Sequence, residues 1–132
     1  ANHVLINEYL PGQGIMPHQD GPLFYPTVTT LNLASQLSLD FYRPSDGGDE
    51  NCLFEKRYLG SLLLEPRSLL VLQDDLYNKY LHGIKEVSED EVTDSYWNIN
   101  SIPTKPGETL TRNTRISLTI RHVPKVSKLK LK

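Results

Sequence analysis

Seven residues, Arg115-Ile-Ser-Leu-Thr-Ile-Arg121, alternate without a break between polar and apolar side chains. Period-two alternation is the signature of a β-strand lying between two environments. It puts Arg115, Ser117, Thr119 and Arg121 on one face and Ile116, Leu118 and Ile120 on the other. The aliphatic face reads as the one turned to the core. Two arginines on the polar face are costly to place near that core unless they meet anions. A small dicarboxylate held by bidentate, charge-assisted bonds would satisfy them, with an ordinary cross-strand ion pair as the plainer alternative.

The same period recurs along the chain. Residues 4–10 read as a strand broken by Pro11-Gly12-Gln13-Gly14, residues 15–20 as a second ended by Gly21-Pro22, and residues 27–33 and 36–42 as two more. Residues 43–51 form a polar loop, and residues 56–64 and 68–73 flank Glu65-Pro66-Arg67 as strands meeting at a turn. Residues 74–81 are the one plausible short helix or turn. Short strands with frequent turns indicate a mainly β sandwich or jelly roll with few short helices. A chain of 132 residues suits one domain with a real core. We assign residues 1–124 to it and 125–132 to a basic tail. Residues 83–114, without clear periodicity, read as a long loop or lid. Their first half carries Glu86, Glu89, Asp90, Glu91 and Asp94, which favours solvent. Trp97 stacks on a base, covers the site or serves as a partly buried anchor for the loop, the anchor being the commoner use.

His18-Gln19-Asp20 and a distant His82 are the candidate metal ligands and catalytic residues. Side chains at i and i+2 of a strand share a face, so His18 and Asp20 can reach one ion while Gln19 turns away. Two histidines and one carboxylate suit non-haem Fe(II) and leave positions open for a co-substrate and oxygen. Asn7 and Tyr9 share a face of the first strand in the same way. A cupin-like metal protein uses similar ligands but leaves the arginine pair unexplained. His3 and His122 read as surface or structural histidines, and Tyr77, Lys79 and Tyr80 as packing and surface. Cys52 is the sole cysteine, which excludes an internal disulfide and is compatible with a reducing compartment.

Four motifs therefore stand in order: Asn7-x-Tyr9, His18-x-Asp20, His82 within Tyr80-Leu-His-Gly-Ile84, and Arg115 with Arg121 six residues on. Together they resemble the AlkB-like Fe(II)/2-oxoglutarate dioxygenases, a likeness that each motif alone carries weakly and all four carry strongly. Residues 7–12, 16–18, 20–23, 25–28 and 61–72 narrow the likeness to one branch of that family. The resemblance implies a double-stranded β-helix, Fe(II) on His18, Asp20 and His82, and 2-oxoglutarate as co-substrate. It implies that Arg115 and the Tyr9 hydroxyl meet the distal carboxylate and that Asn7 and Arg121 support the one near the metal. Ser117 stands where the founding bacterial member has Asn, a shorter partner for the co-substrate. With oxygen as second co-substrate, the implied reaction hydroxylates a C–H bond; on an N-methyl group it releases formaldehyde. Residence in cytoplasm and nucleus is also implied.

The substrate is less constrained. Gly21-Pro22-Leu23 replaces the acidic residues that meet a methylated base in the founding member, and the net charge of −2 lacks the basic balance of a dedicated nucleic-acid domain. Locally, Arg121, Lys125, Lys128, Lys130 and Lys132 could neutralise a few phosphates, or the end of the chain could be a solvated tail. Three readings follow: oxidation of alkylated DNA or RNA, favoured by the resemblance; the same chemistry on a protein side chain; or a non-enzymatic nucleic-acid- or protein-binding module that retains the fold. No apolar run reaches the roughly 20 residues of a membrane-spanning helix. The chain enters its first motif strand almost at once without an initiator Met, the pattern of a fragment or short form with an intact iron half and incomplete substrate recognition.

Overall fold

The computed structural model describes residues 1–45 and 54–125, so Cys52, most of the 43–51 loop and residues 126–132 of the basic tail lie outside the described residues. The chain runs β1 (His3–Tyr9), β2 (Ile15–His18), β3 (Thr27–Asn32), β4 (Leu37–Tyr42), α1 (Phe54–Arg57), β5 (Tyr58–Leu64), β6 (Ser68–Gln73), α2 (Asp75–Asn78), β7 (Leu81–Ile84), β8 (Glu89–Glu91), a 3-10 turn (Ile99–Ser101), β9 (Thr109–Thr111) and β10 (Arg115–Arg121). Two antiparallel sheets, ordered β1-β10-β3-β6 and β2-β7-β4-β5, form a jelly roll. Leu37, Leu39, Phe41, Leu64, Leu72 and Ile84, drawn from both sheets, are its core. Among the described residues no helix is long and apolar enough to cross a membrane.

The structure reverses the expected burial of β10. Arg115 and Ser117 are only 5% and 1% exposed, and Thr119 is buried too, so the polar face is the interior one. Ile116, Leu118 and Ile120 face outward. They pair with Glu8, Ile6 and Val4 of β1, and Leu118 and Ile120 also pair with Leu31 and Thr29 of β3, which in turn pair with Leu69 and Val71 of β6. On this outer apolar face Ile6 is 70% exposed. Alternation reports that a strand divides two environments but does not say which one is enclosed. Here the enclosed one is a polar site.

Other boundaries differ locally. A one-turn helix, α1, replaces the start of the strand expected at residue 56. Residues 85–114 hold the β8–β9 hairpin and pack Val92, Tyr96, Ile99, Ile102 and Leu110 on Leu63, on the back of β5. Asp90, expected in solvent with its acidic neighbours, is buried and accepts two bonds from the buried Arg112, at 2.8 and 2.7 Å. Arg112 also donates to the Lys85 carbonyl at 2.9 Å, which fastens the hairpin to the end of β7. Trp97 anchors this segment: its ring stacks on Phe41 with centroids 4.8 Å apart and covers Gly60, where a Cβ would meet the indole.

Candidate active site

The site begins with an irregularity in β2. Ile15 pairs with Ile84 and His18 with His82, so three steps along β2 match two along β7. One extra residue is a β-bulge, and it restores the inward direction of His18 despite its odd spacing from Ile15. Pro17, which has no N–H to give to a ladder, occupies the bulge. On β7 the matching position is Gly83, where a Cβ would stand 2.9 Å from the Pro17 nitrogen; only a glycine lets β2 approach this closely. Two histidines 64 positions apart thus face each other across one strand pair, with ring centroids 4.6 Å apart.

Asp20 arrives by a different route from the one strand periodicity suggested. β2 ends at His18, and Asp20 lies in the loop beyond it. Gln19 does turn away as expected, donating to the Lys79 carbonyl at 2.9 Å. Asp20 Oδ2 comes within 3.7 Å of His82 Nε2, while Asp20 Oδ1 accepts from Arg121.

The donor chemistry fits a cation. His18 Nδ1 is held by the Met16 carbonyl at 2.8 Å, which leaves Nε2 as the free lone pair. Burial pushes His82 down to about 4, against the pull of Asp20, so its imidazole is neutral at pH 7 and able to ligate. Adjacent ligand atoms around an ion with bonds of about 2.1 Å stand about 3 Å apart. Among the described residues no three such side chains are yet drawn into a closed coordination set. The His82–Asp20 pair has less than about 1 Å to close, a shift within side-chain reach.

A cavity of about 110 Å³ opens from these three residues toward β10. It is lined by Asn7, Tyr9, Arg115, Ser117, Thr119 and Arg121, and its apolar wall includes Leu39, Leu70 and Leu72. Every proposed metal and co-substrate residue therefore borders one space. Their partners are more specific than their positions. Arg115 donates from Nε and one Nη to Asn32 Oδ1, at 3.2 and 2.5 Å, and its guanidinium lies 5.8 Å from the Tyr9 ring centre. Burial lowers Arg115 to about 10, so it remains a cation at neutral pH. Asn7 donates to the Thr119 hydroxyl at 3.1 Å. Arg121 is in an ion pair, with Asp20. Buried Ser117 Oγ has no hydrogen-bond partner among the described residues, a donor left over for a carboxylate.

Sequence reasoning missed Asn32, fully buried at the end of β3, and the positioning of Tyr77. An Asn inside an otherwise β-forming run was the available signal for the first. The Tyr77 hydroxyl donates to the Gly21 carbonyl at 2.5 Å, a contact between α2 and a distant loop that no local pattern encodes. None of residues 85–114 borders the cavity.

Fold and site define an oxygenase scaffold in which an imidazole–carboxylate cluster and a buried arginine share a cavity. The chain belongs to the 2OG-Fe(II) oxygenase superfamily, whose family model matches residues 1–121. It is similar to the probable RNA/DNA demethylase ALKBH6 of Danio rerio, with 54% identity over 99% of this chain and 57% of that protein. It is also similar to the uncharacterized protein L905 of Acanthamoeba polyphaga mimivirus, at 31% identity over 94% of the chain and 49% of its relative. A third relative is the tRNA (carboxymethyluridine(34)-5-O)-methyltransferase alkbh8 of Xenopus tropicalis, at 31% identity over 92% of the chain and 18% of that protein. The chain spans about half the length of the first two relatives.

Proposed function

We propose that this chain forms the catalytic core of an Fe(II)- and 2-oxoglutarate-dependent dioxygenase that oxidises an N-alkyl group on DNA or RNA. The observation that carries the reading is the convergence on one cavity of His18, His82 and Asp20 with Arg115 and a Ser117 hydroxyl that is unpartnered among the described residues. His18 Nε2, His82 Nε2 and Asp20 Oδ2 would hold the ion. Arg115, with the Tyr9 and Ser117 hydroxyls, would hold the dicarboxylate, and Arg115 supplies the fork geometry such a group needs. Bound together, iron and the keto acid supply oxygen activation and the oxidising equivalent for C–H hydroxylation.

The protein's own contribution is orientation and exclusion of water. The Met16 carbonyl fixes the His18 ring, Arg121 fixes the Asp20 carboxylate, and Leu39, Leu70 and Leu72 keep the cavity wall dry. Among the described residues Asp20 is the sole carboxylate lining the cavity, and it already faces Arg121, so none of them offers a second acid there for a cationic base. Support for nucleic acid comes from the relatives, two of which bear names that refer to RNA or DNA. The test is formaldehyde release coupled to 2-oxoglutarate turnover, with N-methylated RNA and DNA oligonucleotides beside N-methylated peptides. Turnover on an oligonucleotide alone supports the reading. Release from peptides alone would move the substrate to protein, and release from neither, with co-substrate bound, would leave a binding module.

A further inference from the structure

Arg121 reaches Asp20 with one Nη, while its buried Nε has no partner among the described residues. A guanidinium held at one prong is free to swing about that bond. Its flat face is covered by Phe24, whose ring centre lies 4.5 Å from the guanidinium carbon, within cation–π range. His3, the register partner of Arg121 on β1, packs on the same ring with centroids 5.7 Å apart. His3, read from sequence as surface or structural, thus stands on the interior side of its strand.

The turn carrying Phe24 is fixed at both ends. Gly21 adopts φ +106°, a left-handed conformation that reverses the chain directly after Asp20. The buried Tyr77 hydroxyl donates to the Gly21 carbonyl at 2.5 Å and stands 3.4 Å from the Phe24 carbonyl. On the other side, the Tyr25 N–H donates to the His122 carbonyl at 2.7 Å, one residue past Arg121. This turn is built to present one ring to one guanidinium.

We infer that Phe24 is a positioning residue for the metal ligand Asp20, acting through Arg121. The ring sets the plane of the guanidinium, the guanidinium occupies Oδ1, and Oδ2 is left aimed toward His82. The carboxylate is thereby prepared to bind an ion through one oxygen. This inference rests on the proposed metal assignment and adds a residue that no ligand motif contains.

The test uses Mn(II) alone, titrated by electron paramagnetic resonance, on the intact chain and its variants. Phe24→Leu keeps an apolar side chain but removes the π face. Phe24→Tyr keeps both. We expect Phe24→Leu to weaken Mn(II) binding roughly two- to thirtyfold, the range that a cation–π contact spans. Phe24→Tyr should restore it, and in an Arg121→Gln background the Leu substitution should have no further effect. Circular dichroism and melting of each metal-free variant separate weakened binding from loss of fold. Equal Mn(II) affinity in wild type and a folded Phe24→Leu, or a Leu effect that persists undiminished without Arg121, would overturn the inference. Failure of wild type itself to bind Mn(II) would overturn the metal assignment along with it.

Discussion

Asn32→Leu removes the acceptor on which Arg115 depends. The Arg115 guanidinium is almost wholly buried, and among the described residues Asn32 Oδ1 receives its side-chain hydrogen bonds, from Nε at 3.2 Å and Nη2 at 2.5 Å. Leucine is close to asparagine in size, so the substitution leaves the wall filled and the cation alone. A hydrogen bond to a charged group contributes about 1.5–3 kcal/mol, and stranding a buried charge costs about 3–5 kcal/mol. Tyr9 remains over the guanidinium, which places the expected loss near the lower end, about 3 kcal/mol. For a domain of this size that lowers the melting temperature by roughly 10 °C. Urea denaturation at pH 7 without ligand measures it directly. Adding Mn(II) with 2-oxoglutarate should narrow the gap, because the co-substrate offers Arg115 a carboxylate in place of the lost amide. A variant within about 1 kcal/mol of wild type would refute the reasoning, since Arg115 would then need no acceptor before the co-substrate arrives.

Acid should destabilise the metal-free protein through His82. Its folded value, about 4, lies below the unfolded 6.5, so the unfolded chain takes up the proton first and stability falls as pH drops between them. The loss is on the order of 3 kcal/mol, and a His82→Gln variant should show a flatter pH profile in urea melts; an identical slope would exclude His82 as its source. Asp90→Ala strands the buried Arg112 and should cost about 3–5 kcal/mol, whereas an exposed ion pair would cost under about 1. Gly60→Ala should push the Trp97 ring outward, shift the emission of the sole tryptophan to the red and cost about 1–2 kcal/mol; unchanged emission would show that the ring does not rest there.

Most of the strands were legible because short alternating runs between Pro and Gly clusters leave few other folds. Residues 4–10, 27–33, 36–42, 68–73 and 115–121 became β1, β3, β4, β6 and β10, with no end shifted by more than one residue. That the candidate residues share one cavity was legible for a different reason: histidine, aspartate and arginine are expensive to bury singly and so tend to be buried together. What alternation could not reveal is which face of β10 is enclosed. A strand whose interior is a polar cavity and whose exterior is aliphatic inverts the usual correlation between burial and hydrophobicity. Asp20 comes to the cavity beside His82, but the loop after His18, not the strand period alone, brings it there. Asn32, the Tyr77 hydroxyl and the Asp90–Arg112 pair are contacts between residues 22 to 83 positions apart, which only the closed fold creates.

The central claim is that His18, Asp20 and His82 hold iron while Arg115 holds 2-oxoglutarate beside it. Anaerobic titration with Fe(II) and 2-oxoglutarate, following the visible charge-transfer band of the chelate, tests it most directly. The band should form in wild type, vanish in His82→Ala and require at least about tenfold more 2-oxoglutarate in Arg115→Met, the loss of one charge-assisted contact. A folded wild-type protein that gives no band, or an Arg115→Met variant that titrates like wild type, would contradict the account.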